Sequence, residues 1–490
     1  METGVWISLI AYFVLMLGIG VYAWRKSTSS SEEYMLGGRN LPPAVAALSA
    51  GASDMSGWLL LGLPGALYAA GLIEAWIGIG LFVGALFNWI IVAPRLREQT
   101  ERYGNALTIP AFLANRFPTQ AAALRLISAI IIVIFFAVYT ASGLVAGGKL
   151  FTTAFEGNYL AGVWLTLGIV LAYTVIGGFL AVSLTDFVQG CIMMLALVIM
   201  PIIVLTAGQG GGFDQASATL SEVDENYLSM TDGLTFIGFL SAVTWGLGYF
   251  GQPHIIVRFM AVRSVAAVAT ARNIAMGWMG VSLIGAIGVG ILGRAYAVRN
   301  GLNVEDPETI FIVLSELLFH PLITGFLLAA LLAAVMSTVS SQLLVSSSSL
   351  AEDVYKLLVD KEASETRIVG IGRIAVVLVG VVAALVASDP ESQVLGLVAN
   401  AWAGFGAAFG PLIILSLTWS RMTGTGAVAG LVAGAVTVIF WIAMGWNGSF
   451  LGGPGVYEII PGFAAAFLAI IAVSLATADQ GEFQEAVAAE

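Results

Sequence analysis

Apolar stretches of about 20 residues recur along the whole of this 490-residue chain, separated by short polar connections. Each is long enough to cross a hydrocarbon core of about 30 Å as a helix. The pattern predicts thirteen spans, at residues 5–23, 41–69, 73–94, 122–151, 159–178, 184–207, 233–257, 271–298, 310–351, 366–387, 394–418, 425–445 and 457–477. No polar block between them is long enough for a soluble domain, so the chain reads as an all-α polytopic membrane protein. The first span runs directly into Trp24, Arg25 and Lys26 without a small-residue cleavage site, and is expected to be retained rather than removed as a signal peptide.

Two spans are interrupted. In residues 44–70, AVAALSAGASDMSGWLLLGLPGALYAA, the only charged residue is Asp54, flanked by Gly51, Ser53, Ser56 and Gly57. Gly and Ser weaken a continuous helix. A carboxylate at mid-membrane depth costs at least a few kcal/mol, so it marks an ion or substrate path by default. The segment is read as a broken helix with Asp54 at the break, a structural cap being the other role open to that residue. The second interruption is TWGLGYFGQP, residues 244–253, where Gly246, Gly248, Gly251 and Pro253 leave backbone groups unpaired. The breaks lie five spans apart, which suggests two inverted repeats, spans two to six and seven to eleven. Residues 310–351 are too long for one ordinary span, and their hydroxyl-rich second half, STVSSQLLVSSSS, is expected to emerge from the membrane.

Charge adds orientation. Charged residues make up 10% of the chain against about 25% in an average soluble domain. All but Lys149, Arg294 and Arg299 of the 19 basic residues, Arg258 and Arg263 included, fall to one set of loops. That asymmetry places the N-terminus outside and the C-terminus in the cytoplasm. The net charge of −11 owes much to acids in residues 214–232 and 479–490, read as solvated segments rather than a docking site. One cysteine, Cys191, and two histidines, His254 and His320, exclude an internal disulfide and a Cys/His zinc site.

Candidate chemistry follows from the breaks. Unwound backbone exposes carbonyl oxygens, which suit a hard cation such as sodium. Ala334, Ser337 and Thr338 share one helix face at i, i+3 and i+4. Their carbonyl and two hydroxyls, joined by two carbonyls from the first break, would make five uncharged oxygens around an ion; a helix-packing stripe is the competing reading. Trp58, Tyr139, Trp245, Tyr249 and Trp402 either enclose a small amphipathic solute or simply pack. Asp186, in SLTDFVQG, is an ion-exit residue or a helix N-terminal acid, the second being preferred on position alone.

The runs ALSAGASDMSGWLLLGLPGAL, WGLGYFGQPHI, LLAAVMSTVSSQLL and AWAGFGAAFGP, with LGGRNLPP, FFAVYTASGLVAG and YEIIPGF, resemble the solute:sodium symporter family over residues 5–474, in particular its bacterial proline carriers. The resemblance implies a single transporter domain, residues 1–490, with a LeuT-type core of two inverted repeats, 41–207 and 233–418. An extra helix and loop (1–40), two extra helices (425–477) and a cytoplasmic tail (478–490) would flank it. It further implies a sodium site from the carbonyls of Ala52, Met55 and Ala334 and the hydroxyls of Ser337 and Thr338, with Asp54 essential for coupling. Proline would lie beside Asp54, among Ser56, Trp58, Tyr139, Trp245, Tyr249 and Pro253, with Gly325 as a backbone neighbour. Arg39 and Asp186 match positions assisting ion coupling or release. The implied activity is sodium-driven symport of L-proline across a bacterial cytoplasmic membrane, with no enzyme chemistry and no nucleic-acid partner. The same carrier moving pantothenate, another amino acid or a carboxylate is the alternative. A transporter-like sensor is disfavoured because the chain runs only about a dozen residues past its last span.

Overall fold

The computed structural model describes residues 2–26, 30–206 and 212–477. The acidic tail from 478 lies outside the described residues, as do 208–211 of the acidic loop. Among the described residues, 10 helices are long and apolar enough to span a membrane, and the bent pair Pro43–Asp54 and Trp58–Ala70 makes an eleventh. Two shorter apolar helices, Tyr159–Val175 and Phe236–Gly251, fall where the sequence predicts the remaining spans.

Both interruptions are present. Pro43–Asp54 ends at Met55 (φ −77, ψ 39), and the chain resumes as a π-helical turn, Trp58–Gly62, leading into Leu63–Ala70. The two halves are bent by 61°. The second break runs from Phe236–Val243 through a tight 3-10 segment, Thr244–Gly251, to an extended Gln252 and the helix Pro253–Ala261. Proline pushes the residue before it out of helical conformation, which fixes where that break ends. Gly84 on Ala75–Arg102 lies against Gly246 so closely that a Cβ on either would meet main-chain atoms. The tight segment fits because its glycines have no side chains there.

Two features differ from the expected pattern. Tyr159–Val175 and Gly178–Thr206 meet at a kink at Gly178 (φ 59, ψ −159), with no loop where one was expected between the two spans. Residues 310–351 divide into Ile310–Leu318 and Pro321–Ser348, because Phe319 and His320 are extended ahead of Pro321. Pro321–Ser348 then continues as a π-helical turn, Ser349–Tyr355, and is the most buried of the unbroken spans.

The broken helices sit at the centre, walled by Ala75–Arg102, Tyr159–Thr206, Val268–Arg299, Pro321–Ser348 and Val394–Thr418. Thr3–Lys26 packs on Tyr159–Thr206 and Pro321–Ser348, whereas Gly424–Ala443 and Ile459–Ala476 pack on one another and on Val394–Thr418. At the Arg-rich end a main-chain bridge joins the two broken helices. Leu41 N donates to Ala261 O (3.0 Å) and Arg263 N to Leu41 O (3.1 Å), a single parallel bridge between Leu41 and Val262.

Candidate functional site

At the first break Ser337 Oγ donates to the Ala52 carbonyl at 2.7 Å, and Thr338 Oγ1 lies 3.4 Å from the same oxygen. Ser337 Oγ is also 3.1 Å from Ala334 O. Four of the oxygens expected around an ion therefore converge, and all four residues are buried. The hydroxyls bridge Pro321–Ser348 to the break. Met55, the remaining expected contributor, is buried at the break itself.

Asp54 turns the other way. Its Oδ2 accepts a hydrogen bond from the Tyr249 hydroxyl, which belongs to the second break, and its carbonyl lies 3.4 Å from the Tyr139 hydroxyl. The carboxylate thus joins the two interrupted helices. Its hydrogen-bond partner is Tyr249, and among the described residues it makes no hydrogen bond to the groups gathered on Ala52.

Beside it lies a small cavity of about 10 Å³ lined by Asp54, Met55, Trp58, Leu81, Tyr139, Trp245, Val398 and Trp402. That is room for about one water. Trp58 and Trp245 face each other across it at 6.1 Å, and the Trp58 Nε1 has no hydrogen-bond partner among the described residues. A donor without an acceptor in a buried cavity is unfavourable by about 1–3 kcal/mol and suits a polar guest. Ser56 is buried and accepts from Trp58 N at 3.1 Å, so it shapes the turn that carries Trp58. Trp402 Nε1 donates to Trp245 O (2.7 Å), and a Cβ on Gly248 would collide with the Trp402 indole.

Two expected solute contacts are not brought to this cavity. Gly325 faces Val5 and Ser8 of the first helix, and it lies twelve residues, about 18 Å of helix, from Ser337. Pro253 opens the helix after the second break and lines a separate small cavity with Phe179 and Leu344.

Asp186 is no helix N-terminal acid. It is fully buried within the long bent helix, 3.2 Å from Arg258 Nη2, and accepts from Ser49 Oγ at 2.7 Å. Arg258, assigned to a loop by its charge, is likewise fully buried and reaches Ser341 Oγ (2.5 Å) and His254 O (2.7 Å). The pair ties four elements together, directly toward the basic end from the gathered oxygens. Periodicity gave no sign of it, since Arg258 falls with His254 on the polar face of a strongly amphipathic helix, the face a sequence reading leaves to solvent. Leu81, Val398 and Ser49 carried no signal that separates them from packing residues.

Arg39 sits further out at the basic end. It donates to Ala106 O (2.5 Å), Met260 O (3.1 Å) and Thr100 Oγ1 (3.2 Å), gathering the ends of three elements. Burial, with the Arg97 guanidinium adding to it, pushes its guanidinium down to about 10, which leaves it charged at neutral pH.

Comparison with known proteins agrees with this geometry. Residues 34–434 match the sodium:solute symporter family. The chain is 54% identical over 462 residues to the high-affinity proline transporter PutP of Bacillus subtilis, covering 94% of this chain and 96% of that protein. It is 50% identical to the osmoregulated proline transporter OpuE of the same organism (96% and 94% covered), and 49% identical to a sodium/proline symporter of Staphylococcus aureus (98% and 94%). Among solved structures, a Na+-coupled sialic acid symporter in a substrate-bound outward-open state superposes with a TM-score of 0.80 at 18% identity, covering 97% of this chain and 98% of that one. The nucleobase-cation-symport-1 transporter Mhp1 in a closed conformation superposes at 0.57 with 14% identity (90% and 94%). At such identities the likeness is one of fold, the LeuT-type arrangement around paired broken helices. With the family matched across most of its length and relatives near half identity from end to end, this multi-pass membrane protein belongs to the sodium:solute symporter family.

Proposed function

We propose that the chain takes up L-proline together with sodium by alternating access, in a bacterial cytoplasmic membrane, with its basic end and C-terminus in the cytoplasm and its N-terminus outside. The observation that carries the reading is the meeting of Ser337 and Thr338 with the Ala52 carbonyl across a helix break. The solute is taken from the curated relatives, whose names specify proline. Sodium is cargo, held by the carbonyls of Ala52, Met55 and Ala334 and the hydroxyls of Ser337 and Thr338. Proline occupies the cavity beside it when that cavity opens, between Trp58, Tyr139 and Trp245, with Ser56 and Tyr249 shaping its polar side. The two repeats, 41–207 and 233–418, rock around this point.

Sodium enters first and draws the first break toward Pro321–Ser348, which positions Asp54 and, through Tyr249, the second break. Only the loaded carrier then reopens inward. No bond is made or broken. A potential near −100 mV supplies about 2.3 kcal/mol per inward charge, and a tenfold sodium gradient adds about 1.4. At one sodium per proline, that sustains accumulation of several hundredfold.

In proteoliposomes, an inward sodium gradient is expected to drive labelled proline uptake that unlabelled proline competes for. Sodium-independent uptake, or competition by pantothenate but not by proline, would overturn the reading. In the same assay Ser337→Ala and Thr338→Ala are each expected to raise the half-saturating sodium concentration about tenfold, the value of one hydrogen-bond-type contact to a charge. Proline affinity at saturating sodium should stay unchanged. A change confined to proline affinity would remove these hydroxyls from the ion site.

A further inference from the structure

Tyr457 opens the YEIIPGF run, at the end of the loop between Gly424–Ala443 and Ile459–Ala476. It belongs to neither broken helix, yet it is buried against the second one. Its ring stacks on the Trp245 indole at 5.2 Å and 25°, its N–H donates to Ser241 Oγ (3.3 Å), and its hydroxyl donates to Ala399 O (2.9 Å) on Val394–Thr418. The segment leading to it is itself fastened. Trp441 Nε1 donates to Val456 O (2.9 Å) and Val456 N to Trp446 O (3.1 Å), with the Trp441 ring stacked on Phe450 at 4.9 Å. Tyr457 thus bears on Trp245 from a fixed base.

Trp245 has a ring on each side. Trp58 faces it at 6.1 Å from the small cavity beside Asp54. Tyr457 faces it from a much larger cavity of about 490 Å³, at the end of Ala75–Arg102 away from Arg95, Arg97 and Arg102. Trp245 lines both cavities. Two neighbouring helices pass the same boundary. On Ala75–Arg102, Ile77 lines the large cavity and Leu81, one turn on, the small one; on Val394–Thr418, Ala399 lines the large one and Trp402 the small one. The small cavity has room for about one water, so a solute of proline's size coming from the large cavity passes only when the Trp245 layer moves aside.

We propose that Tyr457 is a positioning residue for Trp245, holding its indole as the wall between the two cavities, and that release of its hydroxyl from Ala399 O opens that wall to solute. Both contacts are neutral and individually modest, which suits a wall that must open once in every cycle. The inference rests on reading the cavity beside Asp54 as the one that takes proline, and it brings a residue from outside the two repeats into the transport path.

Cysteine labelling along Ala75–Arg102 tests this without transport. In a Cys191→Ser chain purified in detergent, a small charged methanethiosulfonate is expected to modify Ile77→Cys readily and Leu81→Cys at least about tenfold more slowly. Equal rates overturn the wall. Tyr457→Phe keeps the ring and deletes the hydroxyl, and should speed labelling at Leu81→Cys about three- to tenfold, the value of one neutral hydrogen bond. Tyr457→Leu also deletes the stack and should speed it by about tenfold or more. Val92→Cys, fully buried further along the same helix, should stay unreactive throughout. An unaltered rate at Leu81→Cys overturns the proposal, and so does a matching rise at Val92→Cys, which would mean general loosening. In a Trp245→Ala chain, Leu81→Cys should label quickly and Tyr457→Phe should add nothing; an undiminished effect there overturns action through Trp245. Should Tyr457→Leu fail to fold, Tyr457→Phe carries the test alone. Sodium and proline added together should slow labelling at Leu81→Cys. If they protect nothing while Tyr457→Phe still speeds the reaction, the hold of Tyr457 on Trp245 stands and the assignment of this cavity to proline falls.

Discussion

Asp54→Asn is expected to abolish sodium-driven proline accumulation while leaving the protein folded in the membrane. The amide keeps the shape of the carboxylate, and its oxygen still accepts from the Tyr249 hydroxyl that joins the two breaks. Only the charge is removed. Asp54 follows Ala52 by two residues, a backbone separation of at most about 7 Å, so its charge, although turned toward Tyr249, acts over several ångströms on the gathered oxygens. At an effective dielectric near 20, a unit charge at that range is worth about 2–4 kcal/mol to a cation, or roughly 30- to 1,000-fold in sodium affinity. The test is proline uptake into proteoliposomes at sodium concentrations spanning three decades, with membrane content checked by immunoblot. Transport with unaltered sodium dependence would reduce Asp54 to a structural cap.

The second large effect concerns stability. Arg258→Met should destabilise the purified protein by about 3–5 kcal/mol, because it leaves the fully buried Asp186 carboxylate without a counter-ion. Met replaces the aliphatic stem, so the loss is electrostatic rather than a cavity. Ser49 and Ser341 still reach Asp186, at 2.7 and 3.4 Å, but hydroxyls do not replace a cation. Combining Arg258→Met with Asp186→Asn should recover most of the loss, since a neutral pair removes the stranded charge. Thermal melting of the three variants in detergent reads this directly. A single variant that melts like the parent, or a double variant no better than the single, would show that the pair contributes little to the fold.

Much of the fold could be read from the chain because membranes punish exceptions. A charge, a proline or a cluster of glycines within an apolar run is expensive in lipid, so both breaks announced themselves, at Asp54 and at residues 244–253. Position relative to neighbours was a different matter. Hydropathy reports that Arg258 carries a charge but not that it turns inward onto Asp186, which lies 72 residues away in sequence. At Gly178 the pattern did mark the end of a span, but not that the next helix follows directly across a kink with no loop between. The Ala334, Ser337 and Thr338 stripe was ambiguous for a related reason. Packing and ion binding ask for the same small, hydroxyl-bearing face, and the Ala52 carbonyl that this face meets cannot be seen from the helix's own sequence. Gly325 and Pro253 came from resemblance, and their surroundings in the fold are other helices.

The clasp between Leu41 and Val262 has a different kind of consequence. Its two hydrogen bonds use only backbone atoms, so every side-chain variant inherits them. Alanine scanning and cysteine scanning are blind to such a fastening. Of the genetically encoded residues, only an imino acid at 41 or 263 deletes one of its donors, and the chain already places Pro42 and Pro43 beside the first of these positions. The strength of this seal is thus nearly invariant under mutation. Evolution can retune when it parts only by changing what surrounds it, such as the water admitted between the helices.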